Sequence, residues 1–191
     1  MAASAHRGAP LTPEEISATA LRLIDAGGVE GLSMRKLAVE LDVNPMSLYH
    51  HVDGKTALLQ RVCALVAGRL DLPADDDAPW QERLRALGHA CRRSARRHPS
   101  LWLYAQSHPE VTGTDHLIWR ALDRILATAG IDADDLVHAR KTLFALLSGF
   151  ILGETTGALD EQGGAADRDQ TFEAAVDFAI AGLSAFRKST A

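Results

Sequence analysis

The chain is poor in the features that would define several large classes of protein. It has 2 cysteines in 191 residues, too few for a disulfide framework. Cys63 and Cys91 lie in helix-like apolar patterns and read as buried, reduced thiols. No apolar run reaches the ~18 residues of a membrane helix, and the longest, Leu143 to Gly153, is interrupted by Ser148 and Gly149. Met1 to Pro10 lacks the apolar core of a secretion signal. The expectation is a cytoplasmic protein with no membrane partner. Sustained apolar/polar alternation with β-branched residues is absent, which argues against strands. A glycine-rich phosphate loop and a G-x-S-x-G elbow are missing too. The acidic groups that a helical enzyme might use, Asp134 and Asp135 or Glu154 and Asp160, stand outside any nucleophile, metal or phosphate motif. No catalytic residue is assigned, and the chain reads as a non-enzyme. His50, His51, His89, His98, His108, His116 and His138 show no His-x3-His spacing and no accompanying cysteine pair. No metal site and no cofactor are expected.

What is present is ordinary globular material: 47% hydrophobic and 24% charged residues, with net charge −5. The charge is uneven. Residues 1–61, 62–98 and 99–191 carry −1, +2 and −6. A whole-chain count gives no support to nucleic-acid binding, so that case must rest on where particular residues sit.

The punctuation is helical. Thr12-Pro13-Glu14-Glu15 supplies an N-cap, a proline at the first helical position and a reciprocal capping glutamate. Ile16, Ala20, Leu23 and Ile24 follow at helical spacing, and Gly27-Gly28 stops the helix. Ser33 starts a second helix, with Leu32 placed to staple onto Leu37. Asp42-Val43 makes a turn. Asn44 then caps a third, short helix with Pro45 at its first position. Asp53-Gly54 breaks the chain before a helix at about 55–70. An acidic linker with two prolines fills 71–79. Helices are expected near 80–97, 100–106, 112–129, 133–159 and 169–188, with 160–168 as a loop.

Residues 33–51 therefore have the arithmetic of a helix-turn-helix, and the helix at 13–26 can bury its apolar side. Leu37, Val43 and Leu48 can pack beneath the turn, and Ala38 is small where the two helices approach. Asn44, Pro45, Met46 and Ser47 open the second helix of the motif, the part that meets base edges in the major groove. Arg35 on the first helix could read a guanine bidentately. Tyr49 and His51 can donate to phosphate, and Ser33 and Lys55 lie at helix starts that favour phosphate oxygens.

Those residues carry a resemblance. Leu32 to Leu59, LSMRKLAVELDVNPMSLYHHVDGKTALL, resembles the DNA-binding domain of the tetracycline repressor (TetR) family of bacterial regulators. The Leu48-Tyr49-His50-His51-Val52 run and Lys55…Leu58-Leu59 are its most specific part. The likeness is strong over 12–65. It continues more weakly through Pro79-Trp80-Gln81 and Arg92-Arg93 to Leu159, where it is similar to the tetracycline-repressor-like core. It implies an all-α homodimer: residues 1–60 a three-helix DNA-binding domain, residues 61–191 an effector-binding and dimerisation domain. It also implies a double-stranded palindromic operator released when a small molecule binds. By position, Ser33, Arg35, Asn44, Pro45, Met46, Ser47, Tyr49, His51 and Lys55 fall where the family touches DNA. Asp42 departs from the family's usual turn glycine, but Asp tolerates the left-handed conformation. At the positions where the tetracycline repressor holds its metal–drug complex, an ungapped alignment places Asp71, Leu87, Cys91, Ala105 and His108. The matching polar set is missing, so an apolar or aromatic effector is expected instead.

For the C-terminal part, Leu84, Leu87, Cys91, Trp102, Leu103, Gln106, His108, Trp119, Leu122, Phe144 and Leu147 are the candidate effector pocket: apolar walls with a few polar groups. Helix 133–159 is apolar almost all round between 142 and 153. Phe172, Val176, Ala179, Leu183 and Phe186 recur at steps of four, three, four and three, a helix-pairing seam. Together with Phe150 they are expected at the dimer interface. Ala174, Ala175, Ala181, Gly182 and Ala185 would permit close approach. Arg92-Arg93 and Arg96-Arg97 form a basic ridge, read either as solvated charge offset by acids or as an anion site. The rival functional reading is a helical ligand sensor that acts through a protein partner without DNA.

Overall fold

In a computed structural model, residues 11–112, 117–159 and 164–189 are described, and among them every regular element is helical. The helices are α1 (Pro13–Gly27), α2 (Met34–Glu40), α3 (Pro45–Tyr49), α4 (Gly54–Gly68), α5 (Trp80–Arg97), α6 (Pro99–Ser107), α7 (Leu117–Thr128), α8 (Ala133–Thr156) and α9 (Gly164–Ser189), with a 3-10 turn at Pro109–Val111. The described residues form two compact units, 11–69 with 100–112, and 70–99 with 117–159 and 164–189.

In the first unit the local signals act as the residues dictate. Thr12 and Glu15 close the capping box of α1. Ser33 Oγ accepts from Lys36 N at 3.1 Å, and Asn44 Oδ1 from Met46 N at 2.9 Å. The turn between α2 and α3 is a Schellman closure. Val43 N donates to Ala38 O at 3.0 Å and Asp42 N to Val39 O at 3.2 Å, with Asp42 left-handed at φ 55°. Ile16, Ala20, Ile24, Leu37, Ala38, Leu48, Leu58 and Val62 are fully buried in one cluster, with Val43 packed at its edge. Leu101 and Val111 complete that cluster. Gln60 Nε2 donates to Glu110 O at 2.9 Å and fastens the 3-10 turn to α4. Residues 61–69 and 100–112 pack with the N-terminal helices.

The second unit packs α5, α7, α8 and α9 against one another. α5 buries Leu84, Leu87, Ala90, Cys91 and Ala95, and α7 buries Ala121, Leu122, Ile125 and Leu126. Burial pushes the Cys91 thiol up to about 12, and the Cys63 thiol of the first unit up to about 11, so both stay protonated at neutral pH.

Three element boundaries differ from the sequence expectation. The helix expected over 112–129 begins at Leu117 and is preceded by the 3-10 turn; residues 113–116, including His116, lie outside the described residues. α8 stops at Thr156, where Gly157 takes the left-handed cap at φ 75°. α9 begins at Gly164, so the loop expected over 160–168 is shorter: Ala165 and Ala166 are strong helix formers and extend the helix backward. Asp160, with residues 161–163, lies outside the described residues.

Candidate functional site

The first candidate surface belongs to α2, α3 and the start of α4. Leu37 and Leu48 point into the core, which turns the opposite sides of both helices outward. Ser33, Arg35, Asn44, Pro45, Met46 and Tyr49 are exposed, while Ser47, His51 and Lys55 are half-buried. All nine expected DNA contacts therefore sit in the first unit, on or next to its helix-turn-helix. Ser33 and Asn44 have a structural task as caps, which leaves their hydroxyl and amide only partly available to an outside partner. α4 has no side-chain cap, so the N–H groups of its first turn, beside Lys55, have no side-chain acceptor. Lys55 Nζ lies 4.0 Å from Glu30, a weak and exposed pair.

One residue of this surface escaped the sequence reading. Val39 is 75% exposed, one turn after Arg35, and Met46 is 65% exposed. Exposed aliphatic groups on a helix-turn-helix suit thymine methyl groups. The signal was available: Val39 falls outside the spacing of Leu37 and Leu41 that faces the core.

The second candidate site is a cavity inside the second unit. The centre of a water-sized sphere can range over about 70 Å³ of it. Leu84, Leu87, Gly88 and Cys91 of α5, Ile118, Trp119 and Leu122 of α7, Leu143, Phe144, Leu146, Leu147 and Phe150 of α8, and Phe172, Ala175, Val176 and Ala179 of α9 line it. No lining residue carries a charge. Trp119 and Phe144 meet at 4.7 Å between ring centroids, and Phe150 and Phe172 at 5.2 Å, edge to face. The apolar walls hold one thiol, that of Cys91.

Seven of the eleven expected pocket residues line this cavity: Leu84, Leu87, Cys91, Trp119, Leu122, Phe144 and Leu147. The other four do not. Trp102, Leu103, Gln106 and His108 belong to α6 and its end, in the first unit. His108 stacks on Tyr104 at 3.7 Å and its Nδ1 lies 2.9 Å from Tyr104 O. An apolar helix reads as buried in any core, and the sequence did not say which.

The residues expected at the dimer seam divide between the cavity, the protomer's own core and the outer face. Phe150, Phe172, Val176 and Ala179 line the cavity. Phe172, Val176 and Leu183 are buried within the protomer, at 1%, 7% and 7% exposure. Steps of four and three mark a buried face, and Phe172, Val176 and Leu183 are buried within their own chain. Phe186 is exposed at 40%, with Phe178 at 76%, Leu152 at 49%, Leu146 at 44% and Val137 at 42%. Ala174, Ala181, Gly182 and Ala185 are exposed on α9 as well. By length and mean hydropathy α8 could cross a membrane. Its apolar residues are divided between the cavity and this outer face.

The basic ridge of α5 also divides. Arg92 is buried and holds Glu154 bidentately, Nε at 2.9 Å and Nη2 at 2.7 Å, with Asp169 at 2.9 Å. Arg96 reaches Glu154 at 2.9 Å and Asp169 at 3.3 Å. Burial alone would raise the Glu154 pKa, but the hydrogen bonds and charges of Arg92 and Arg96 outweigh it and hold it below the usual value. Arg92 is thus neither solvated nor open to an anion. Its guanidinium lies 4.5 Å from the Phe172 ring centroid and supports that wall from outside the cavity.

Comparison with known proteins gives the family. Residues 16–62 match the family model for bacterial regulatory proteins of the tetR family, and residues 84–179 match that for the tetracyclin repressor-like C-terminal domain. The tetracycline repressor protein class A from transposon 1721 of Escherichia coli is 33% identical over 83% of this chain and 74% of its own. The HTH-type transcriptional repressor DrrR1 of Streptomyces coeruleorubidus is 31% identical over 80% of this chain. The chain spans 55% of the length of that relative, and 60% of an HTH-type transcriptional regulator from Saccharopolyspora erythraea. Among solved structures, apo ActR of Streptomyces coelicolor aligns with TM-score 0.81 at 25% identity, over 97% of this chain and 100% of its own. The two family models together, with a relative 33% identical over most of both chains, place this chain in the TetR family of bacterial regulators.

Proposed function

We propose that the protein is a homodimeric, ligand-released transcriptional repressor that acts on DNA in the cytoplasm. The observation that carries the reading is the pairing, in one chain, of an outward-facing helix-turn-helix with an uncharged, aromatic-walled cavity. Arg35, Asn44, Pro45, Met46 and Ser47 meet base edges, and Ser33, Tyr49, His51 and Lys55 hold phosphate. Two copies, related by a two-fold axis, place two reading helices about 34–36 Å apart, one turn of duplex. The outer face of α8 and α9, with Phe178 at its centre, is the surface we assign to that pairing.

The effector follows from the walls. A ligand in this cavity loses its water and gains no ionic partner, so a charged group there would cost several kcal/mol. The fitting class is uncharged, largely apolar and aromatic, able to stack on Trp119, Phe144, Phe150 and Phe172. Structures of ActR are described in complex with actinorhodin and with (S)-DNPA. Tetracycline with magnesium is a poor fit: Leu87 and Cys91 are apolar wall, and His108 is in the other unit, stacked on Tyr104.

The test is fluorescence anisotropy against DNA flanking the protein's own gene, over a salt series, with unrelated DNA as competitor. Saturable, competitor-resistant binding is expected. Arg35→Ala with Tyr49→Ala abolishes it and leaves the dimer intact; unaffected binding would contradict the assignment. An effector found with this assay must weaken operator affinity by the factor by which operator weakens effector affinity. Binding of an effector without any change in operator affinity would favour a sensor that acts through a protein partner.

A further inference from the structure

Two arginines on α5 are equally buried and differently served. Arg92 and Arg83 each have 6% of the side chain exposed. Arg92 has a bidentate carboxylate, a second carboxylate and the Arg168 carbonyl at 3.2 Å. Arg83 has one contact, Nη1 to Asp75 Oδ1 at 3.4 Å, and its buried Nε–H has no acceptor. A guanidinium does not escape burial by losing its proton. A buried charge left this short of acceptors costs several kcal/mol.

Asp75 is shared. Its Oδ2 lies 3.7 Å from Arg124 Nε on α7, so two guanidiniums converge on one carboxylate. Both contacts are long for charge-assisted hydrogen bonds, which settle near 2.7–2.9 Å. Asp75 belongs to the linker between α4 and α5 and is 66% exposed. Its backbone tether holds the carboxylate short of the full guanidinium edge. The other side-chain ties of this linker are equally slight: Asp71 to Arg93 at 3.7 Å, and Asp76 to the Ala78 N–H at 3.1 Å.

We propose that Arg83 and Arg124 form an oxyanion site in which Asp75 is a resident stand-in, displaced by a small carboxylate from solution. This site is distinct from the apolar cavity and goes beyond the function proposed above. A free carboxylate has two oxygens and no tether. It can take the Arg83 Nε–H and an Nη–H together, the fork geometry that Arg92 already makes with Glu154. Asp76 and Asp77 adjoin the site in sequence and disfavour a dianion, so a monoanionic carboxylate is preferred to phosphate. Displacement frees the linker at Asp75, which is how occupancy would be felt by the rest of the chain.

The experiment uses the full chain at fixed protomer concentration. Its thermal midpoint is followed against acetate, with chloride replaced to keep ionic strength constant, and against inorganic phosphate at pH 7.5. The wild type is expected to gain midpoint with acetate. Asp75→Asn starts lower and responds to acetate at a concentration at least ten-fold below that of the wild type, because its stand-in is gone. Arg83→Met abolishes the specific response and leaves only the general salt effect shared by any protein. Should Arg83→Met fail to fold, Arg124→Met at the half-exposed position weakens the response in a folded chain. An Asp75→Asn response no stronger than wild type, or a full response in Arg83→Met or Arg124→Met, overturns the proposal. Equal or greater stabilisation of Asp75→Asn by phosphate overturns the choice of a monoanion.

Discussion

Replacing Glu154 with Gln tests what holds α5, α8 and α9 together. Glu154 has 7% of its side chain exposed and meets Arg92 twice and Arg96 once. Gln keeps the size and one acceptor oxygen but removes the charge, leaving Arg92 buried. Loss of one partner from a buried pair costs about 3–5 kcal/mol. Asp169 remains 2.9 Å from Arg92, which puts the expectation at the lower end, about 3 kcal/mol. For a chain of this size that is a fall of roughly 6–12 °C in Tm. The comparison is Glu173→Gln. Its partners Arg85 and His89 are 36% and 32% exposed, and Arg85 also holds Asp177, so the cost should stay below about 1 kcal/mol. Urea denaturation followed by circular dichroism, at one protomer concentration, measures both. The pH dependence supplies a second arm. Glu154 titrates lower in the folded state than in the unfolded chain, where it titrates near ~4.3. Its contribution is therefore full above that value and is lost as pH falls through the folded pKa. The gap between wild type and Glu154→Gln should close in that acid range. A Glu154→Gln protein within about 0.5 kcal/mol of wild type at pH 7, or a gap unchanged down to pH 3, would refute the reasoning.

Gly88 lies inside α5 on the cavity wall, and an added Cβ would stand 3.6 Å from Phe172 Cζ and 3.7 Å from Val176 Cγ2, ordinary contact. Gly88→Ala should raise stability by about 0.5–1 kcal/mol through helix propensity while lowering effector affinity. Calorimetry and effector titration measure the two together, and a loss of stability would mean that the wall cannot take a methyl group. At Asp42, φ 55° favours residues that tolerate the left-handed region. Asp42→Gly should lie within about 0.5 kcal/mol of wild type, and Asp42→Val should cost about 1–2 kcal/mol, read from denaturation midpoints. Phe178→Asp, at a position 76% exposed, should give a folded monomer in sedimentation at micromolar concentration; an unchanged dimer would move the interface elsewhere.

The helix-turn-helix was legible because its signals are local. Thr12 with Glu15, Ser33, Asn44 with Pro45, and Asp42 each act within three or four residues of themselves, and each does in the structure what its chemistry implies. The cavity was legible in part. Leu84, Leu87, Cys91 and Leu122 follow from helical spacing, but Trp102 and Leu103, both half-buried, announce only an apolar helix. α6 contributes Leu101 to the first unit's core cluster, with Tyr104 and Ala105 packed against it, and spacing within α6 does not name that cluster. Arg92 looks in sequence like its neighbours Arg93, Arg96 and Arg97. Its burial depends on Glu154, 62 positions away, and no local pattern carries that.

The ambiguity of α9 has a geometric cause with a consequence for mechanism. Advancing about 100° per residue, Phe172, Val176, Ala179 and Leu183 fall within about 40° of one line along the helix. Ala174, Phe178, Ala181 and Ala185 fall about 180–240° around from it. Both stripes are apolar or small, so periodicity cannot tell the inward one from the outward one. The charges decide. Asp169, Glu173 and Asp177 lie between the stripes, and Arg92 and Arg85 of α5 bind them. That fixes the rotation of α9 so that Phe172 closes the cavity and Phe178 faces out. The same helix then carries a wall of the effector cavity on one side and the proposed pairing surface on the other. In the proposed dimer, a ligand that shifts or rotates α9 to gain room moves the cavity wall and the proposed pairing surface together.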